Sequence, residues 1–369
     1  MIKKIINYLH LFNGLSFETR KQKKFCIIEN NLNNSLNDIL KKKNPAFISI
    51  YKLNIFILIN LIFEKKFNLT KEFSLNYYIE SIKYFQCKVV FSMIDNNENI
   101  LRIKSFLKNI KVVVVQNGTR YLKNDISNFK NTKKFNVDYY FTFNKYYSQL
   151  LSKYINAKFI SIGSIENNKY KILKKKRKSI LFISDFDKKD YLYSQKNYKN
   201  YNNYYKPEFK LLPLIENFCE KHDYDLNIAP RILDYKQEYF FYSKIFKNNK
   251  WKLLKKINNP FRYIDEAELI IFIHSTLGYE ALFRNAKIAG LCCRLNIDKS
   301  RCFGWPKFDR KKKGFFWTNE LNLTKCNKIL VNLINMDKKK WSKKSNKYIK
   351  NFSVYNYNNI KLKKIISNL

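Results

Sequence analysis

Glycine and proline are scarce in this chain, 7 and 6 among 369 residues. That scarcity excludes collagen-like, linker-like and turn-dense all-β architectures. Long apolar runs are missing as well. The longest, Ile55 to Phe63, spans nine residues and contains Asn60, whereas a membrane-spanning helix needs about 20. The basic start MIKKIINYLHLFNG leads into no sustained apolar region and no small-residue cleavage site, so no signal peptide is expected. Histidine occurs only at positions 10, 222 and 274, and the seven cysteines form no C-x-x-C pair and no short Cys/His spacing. A zinc site is not expected, and the thiols read as reduced and cytoplasmic. Acids are also few, 29 against 72 Lys plus Arg, for a formal net charge of +43.

What is present is enough apolar side chain for two cores: 46% of residues are hydrophobic and 17% aromatic. A chain of this length holds two domains by the usual prior of about 100 to 200 residues each. The charge is spread along the whole sequence. Lys accounts for 62 of the basic residues and Arg for 10, and runs such as Lys174-Lys175-Lys176-Arg177 and Lys311-Lys312-Lys313 are short. A nucleic-acid protein concentrates Arg and Lys in a stripe with stacking aromatics, so no nucleic-acid partner is expected. Three readings of the charge are weighed: an A/T-rich codon bias first, then attraction to anionic lipid or an anionic substrate, and last nucleic acid.

Strand-like and helix-like segments alternate. Strands are predicted at Phe25–Ile28, Ala46–Tyr51, Lys88–Ile94, Lys111–Gln116, Tyr139–Phe143 and Lys158–Ile162, with helical periodicity at Tyr77–Phe85 and Ile100–Leu107. A polar, basic stretch at 166–178 reads as a linker. A second series follows at Ser179–Ser184, Tyr224–Ile228, Leu269–His274 and Lys287–Cys292, and helices dominate after Asn322. Strands separated by helix-length segments imply parallel doubly wound sheets. Their ligands sit beyond the carboxyl ends of the strands.

The motifs lie at those ends. In Ile270-Ile271-Phe272-Ile273-His274-Ser275-Thr276-Leu277-Gly278-Tyr279-Glu280 a buried strand runs into a helix that Ser275 or Thr276 can cap. The free N–H groups of that helix form an anion site, with Gly278 admitting a phosphate and Glu280 accepting from a ribose or sugar hydroxyl. An ordinary capped helix explains the same residues, and His274 reads as a strand-end residue or a phosphate contact. Four valines precede Gln116-Asn117-Gly118-Thr119-Arg120, which is either a plain Asn-Gly turn or a lining of amides with Arg120 as an anion partner. Asp95 ends the Val89–Ile94 strand as a helix cap or a catalytic base. Arg231 follows Leu226–Pro230, and its planar fork suits a donor phosphate in a chain otherwise supplied with lysine. Asp185-Phe186-Asp187 is an acid-x-acid pair, which could hold a divalent metal or be one of the short acidic pairs common in turns.

Together these motifs resemble a family of bacterial surface-carbohydrate biosynthesis proteins with the two-domain GT-B glycosyltransferase fold. The resemblance runs from Pro45 to Asn319 and rests on Ile94-Asp95-Asn96, Gln116-Asn117-Gly118, Ile162-Gly163-Ser164 and Ser275-Thr276-Leu277-Gly278-Tyr279-Glu280. Phe303-Gly304-Trp305-Pro306 and Gly314-Phe315-Phe316-Trp317 add to it. The Ser-Thr-Leu-Gly-Tyr-Glu stretch is also similar to that of transferases using CMP-activated acidic sugars (Kdo and nonulosonic acids). The Asp185-Phe186-Asp187 turn departs from the pattern.

The resemblance implies an α/β, GT-B-like fold: two Rossmann-like αβα domains facing a cleft, with C-terminal helices. The expected division is an acceptor domain at 1–165, a linker at 166–178, a donor domain at 179–335 and helices at 336–369. It further implies a metal-independent glycosyltransferase of capsule, O-antigen or lipopolysaccharide assembly. Arg231, His274, Ser275, Thr276, Gly278 and Glu280 would hold a nucleotide-sugar donor, which is a substrate, so no cofactor is expected. Asp95 would be the base for a glycan or lipid-linked glycan acceptor, with Asn117 and Arg120 beside it. Its expected place is the cytoplasm, at the inner face of the membrane. The alternatives are a polyol-phosphate transferase or nucleotide-sugar epimerase on the same fold, and a non-catalytic basic adaptor for membrane or nucleic acid.

Overall fold

The computed structural model describes residues 14–29, 34–67, 72–118, 135–173, 177–188, 204–231, 235–248, 250–296, 314–352 and 354–369. They divide into two compact units, the first holding residues 14–118, 135–169 and 356–369 and the second residues 170–355. Arg120, the Phe303–Pro306 loop and nearly all of the Tyr/Asn/Lys-rich stretch at 189–205 lie outside the described residues.

The first unit runs β1 (Leu15–Ser16), β2 (Phe25–Ile28), α1 (Asn34–Leu40), β3 (Ala46–Ile48), β4 (Leu53–Asn54), α2 (Ile55–Phe63), α3 (Phe73–Tyr84), β5 (Val89–Ser92), α4 (Glu98–Phe106), β6 (Lys111–Val115), β7 (Phe135–Thr142), α5 (Lys145–Leu151), β8 (Ile155–Ser161) and α6 (Ile165–Lys169). Six strands form a parallel sheet in the order β3-β2-β5-β6-β7-β8, and β1 pairs with β4 beside it. β2 and β5 are buried at every position, and β6 at all but Lys111. Burial on both faces is why they read as continuous apolar runs. Asparagine, abundant in this chain, opens the helices: the side chains of Asn54, Asn97 and Asn144 accept N–H groups at the starts of α2, α4 and α5. Each bond satisfies a donor that has no partner within its helix.

The second unit runs β9 (Arg177–Ile183), α7 (Lys206–His222), β10 (Asp225–Ala229), α8 (Tyr235–Ser243), β11 (Trp251–Leu253), α9 (Phe261–Glu266), β12 (Ala267–Phe272), α10 (Thr276–Phe283), β13 (Ile288–Leu291), β14 (Trp317–Thr318), α11 (Leu323–Ile334) and α12 (Lys338–Phe352). Its sheet is parallel throughout, in the order β11-β10-β9-β12-β13-β14. Counted within the unit that is 3-2-1-4-5-6, the order of dinucleotide-binding Rossmann sheets. The two short strands β11 and β14 were not anticipated, being too brief to carry a periodicity. Phe316 and Trp317 are buried and meet Trp341 and Tyr348 at ring-centroid distances of 5.5 and 5.2 Å, so this aromatic stretch belongs to the second unit's core.

The final helix, α13 (Ile360–Ser367), packs its Leu362 and Ile366 into the first unit's core with Phe91, Val113 and Ile162. Asn359 secures it, donating to the Ile165 carbonyl at 2.9 Å and accepting from Asn168 Nδ2 at 3.0 Å. The C-terminal helices expected at 336–369 are therefore shared between the two units.

Candidate functional site

The second unit holds a cavity of about 440 Å³ at the carboxyl ends of four adjacent strands. Ile183, Ser184 and Asp185 follow β9, Ala229, Pro230 and Arg231 follow β10, Lys255, Lys256 and Ile257 follow β11, and His274, Ser275, Thr276 and Leu277 follow β12. The strand order reverses between β9 and β12. Connections leave those two strands in opposite directions, opening a crevice where α/β sheets take their ligands.

One wall is the start of α10. Ser275 occupies the N-cap in an extended conformation (φ −155°, ψ 133°) and its side chain makes no cap bond. The expected capping role of Ser275 is thus corrected: its carbonyl accepts Gly278 N–H at 3.1 Å, and the residue lines the cavity. The dipole at the start of a helix favours an anion. Lys255, Lys256 and Arg231 add three cationic side chains around the opening.

Asp185 organises the floor. Arg231 Nη1 donates to its carbonyl oxygen and to its Oδ1, each at 3.0 Å. His274 Nδ1 lies 3.5 Å from its Oδ2, and the buried Arg294 donates to the same oxygen. Arg294 also pairs with Glu208 and donates to the Tyr204 carbonyl at 3.0 Å. Burial pushes the Asp185 carboxyl up, but the charges of Arg294, His274 and Arg231 outweigh it and hold it below its ordinary value. For Arg231, burial pulls the guanidinium down while Asp185 and Asp187 hold it above its usual value.

A protein-family model described as "putative O-antigen biosynthesis protein" matches residues 113–369, well over half of the chain. The chain belongs to this O-antigen biosynthesis family. A search of curated proteins gave no match. Among solved structures the family member is similar to S. aureus MnaA with UDP (TM-score 0.54, 13% identity, 94% of this chain and 96% of that one). It is similar to the UDP-GlcNAc 2-epimerase of Methanocaldococcus jannaschii in complex with UDP-GlcNAc and UDP (0.51, 13%, 96% and 100%). A variant of the wall teichoic acid polymerase TagF matches at 0.52 and 12%, over 100% and 96% of the two chains. At such identities the likeness is one of fold: two Rossmann-like αβα domains of the GT-B class. The expectation of a surface-carbohydrate family on this fold is met.

In this O-antigen biosynthesis protein Arg231, His274, Ser275 and Thr276 meet at one cavity, as four of the expected donor residues. Gly278 does something else. A Cβ there would sit 2.2 Å from Phe272 Cγ, so the glycine lets α10 lie against β12, and Gly278 is not among the residues lining the cavity. Glu280 is buried on α10 and is not among the residues lining the cavity.

Asp95 belongs to the first unit and is 1% exposed. Its Oδ1 accepts Asn117 N–H at 3.3 Å and its Oδ2 accepts the Tyr140 hydroxyl at 3.1 Å. This acid, expected as a helix cap or a catalytic base, thus braces the ends of β5 and β6. Gln116 completes the brace, donating to the Gly118 carbonyl at 2.7 Å and accepting Phe143 N–H at 2.8 Å, and leaves the Asn117 side chain exposed. The residues that sequence reasoning missed are Lys255, Lys256, Arg294 and Glu208. It read Asp185 as part of an acidic pair, in a turn or for a metal, and not as an anchor for arginine. Scarcity was the available signal for Arg294: in a chain with 10 arginines, one preserved among lysines marks a fork-shaped demand.

Proposed function

We propose that this protein is a glycosyltransferase of surface-polysaccharide assembly that binds a nucleotide-activated sugar in the second unit's cavity. One observation carries the reading: the cavity sits at the β9/β12 reversal, walled by a helix N-terminus and ringed by Arg231, Lys255 and Lys256. These are donors and cations arranged for a diphosphate or phosphate leaving group. Charge that grows on that group as the glycosidic bond breaks would meet preorganised N–H groups and cations, which stabilise it without reorganising. Asp185 keeps Arg231 and His274 oriented toward the ligand. The acceptor in this reading is a glycan or lipid-linked glycan presented at the cytoplasmic face of the membrane. The donors to consider begin with CMP-linked acidic sugars.

A thermal-shift panel of CMP-, UDP-, GDP- and CDP-linked sugars tests it. A ligand at ten times its dissociation constant adds about 1.4 kcal/mol of stability. One nucleotide class should raise the unfolding midpoint while the others leave it in place, and a flat response across the panel removes the donor site. Product analysis then separates the chemistries. A new glycosidic bond supports sugar transfer, a phosphodiester reassigns the protein to polyol-phosphate transfer, and an altered free nucleotide sugar reassigns it to epimerisation.

A further inference from the structure

We propose that α2 docks the protein on an anionic lipid bilayer, lying in the plane of the interface. This goes beyond the donor cavity and does not depend on it. The helix carries no charged residue along Ile55–Phe63, and Ile57 and Leu61 are its buried positions. At about 100° per residue, Phe56, Ile59, Ile62 and Phe63 share the opposite face. All four are exposed, Ile62 by 57% and Phe63 by 81%, and Phe67 beyond the helix is exposed as well. An α-helix rises about 1.5 Å per residue, so this one is far too short to cross a hydrocarbon core of about 30 Å. It suits an element that sinks its apolar face about 5–10 Å into the headgroup boundary.

Charge selects the occupant. At the two ends of the helix, between Lys52 and Phe67, the basic residues are Lys52, Lys65 and Lys66, and the one acid is Glu64, which pairs with Lys66. Cations flanking an apolar face complement phosphate headgroups. A second copy of the chain would set the same lysines against one another, because a two-fold interface brings identical patches together. The lipid surface satisfies both the apolar face and the lysines at its ends.

The test is flotation of the full chain with vesicles of phosphatidylglycerol and phosphatidylcholine, beside vesicles of phosphatidylcholine alone, at about 0.15 M salt. The native protein should float with the anionic vesicles. The triple variant Ile59→Ser, Ile62→Ser, Phe63→Ser should lose at least tenfold in bound fraction at an unchanged thermal midpoint. Equal flotation of both proteins overturns the proposal, leaving only diffuse charge attraction. So does a native dimer that the triple variant dissociates, and so does native protein that stays unbound. A single variant, Phe63→Trp, covers the case of a misfolded triple variant. Brominated acyl chains should quench its added fluorescence, and quenching no greater than in the native protein overturns the proposal.

Discussion

Asp185 holds Arg231 through a single nitrogen, whose distances to the Asp185 carbonyl oxygen and Oδ1 are both 3.0 Å. The other carboxylate oxygen faces His274 and the buried Arg294. One acid at the end of β9 thereby links the cavity lining to a charge cluster inside the second unit. That position separates what the cavity needs for binding from what the unit needs for stability.

Asp185→Asn should destabilise the second unit by about 3 kcal/mol, because removing one partner of a buried pair leaves the other charge uncompensated. Arg294 would keep only Glu208 as its carboxylate. Chemical denaturation measures the loss. A change below about 1 kcal/mol would mean that Glu208 sustains Arg294 alone.

The same cluster sets an acid limit. Asp185 is held below its ordinary value in the folded protein, so its contribution is complete above the unfolded carboxylate value of about 4 and is lost as pH falls through the folded value. The stability gap between native protein and Asp185→Asn should therefore be present at neutral pH and shrink below about pH 4. Urea unfolding across that range checks it, and a gap that persists to strong acid contradicts it.

Arg231→Ala should weaken nucleotide-sugar binding on the order of tenfold or more, the worth of one charge-assisted hydrogen bond. Arg231→Lys should recover little, since an ammonium cannot serve Asp185 and a ligand phosphate in one plane. Calorimetric titration reads both. The fold should tolerate either change, because the Arg231 side chain is 45% exposed.

Gly278→Ala tests packing. The added methyl would meet the Phe272 ring at 2.2 Å, an overpacking cost of about 1–3 kcal/mol set against a helix-propensity gain of about 1 kcal/mol. Net destabilisation is expected, with recovery on adding Phe272→Leu. A Gly278→Ala protein that is stable yet fails to bind donor would return the glycine to the ligand site.

Some of the site was readable in advance. His274, Ser275 and Thr276 follow a run of buried β-branched and aromatic residues, and a strand feeding a helix places its junction at the sheet's carboxyl edge. Arg231 stood out because arginine is rare here. The bracing role of Asp95 was not legible, since a strand-end acid looks the same whether it faces solvent or braces a turn. Only the Tyr140 hydroxyl and the Asn117 N–H, 45 and 22 residues away, decide between them. Lys255 and Lys256 were hidden among 62 lysines.

Local order and layer type were determined by the sequence itself. Continuous apolar strands such as Val112–Val115 can be satisfied only between two covering layers, and asparagine caps announce their helices within three residues. Tertiary structure alone decided the strand order that opens the crevice between β9 and β12, the return of α13 to the first unit, and the meeting of Asp185 with Arg294 across 109 residues. The physical reason is range. Propensity and capping act over one or two turns of chain, whereas burial and charge pairing are settled by whichever distant segments the folded core brings into contact.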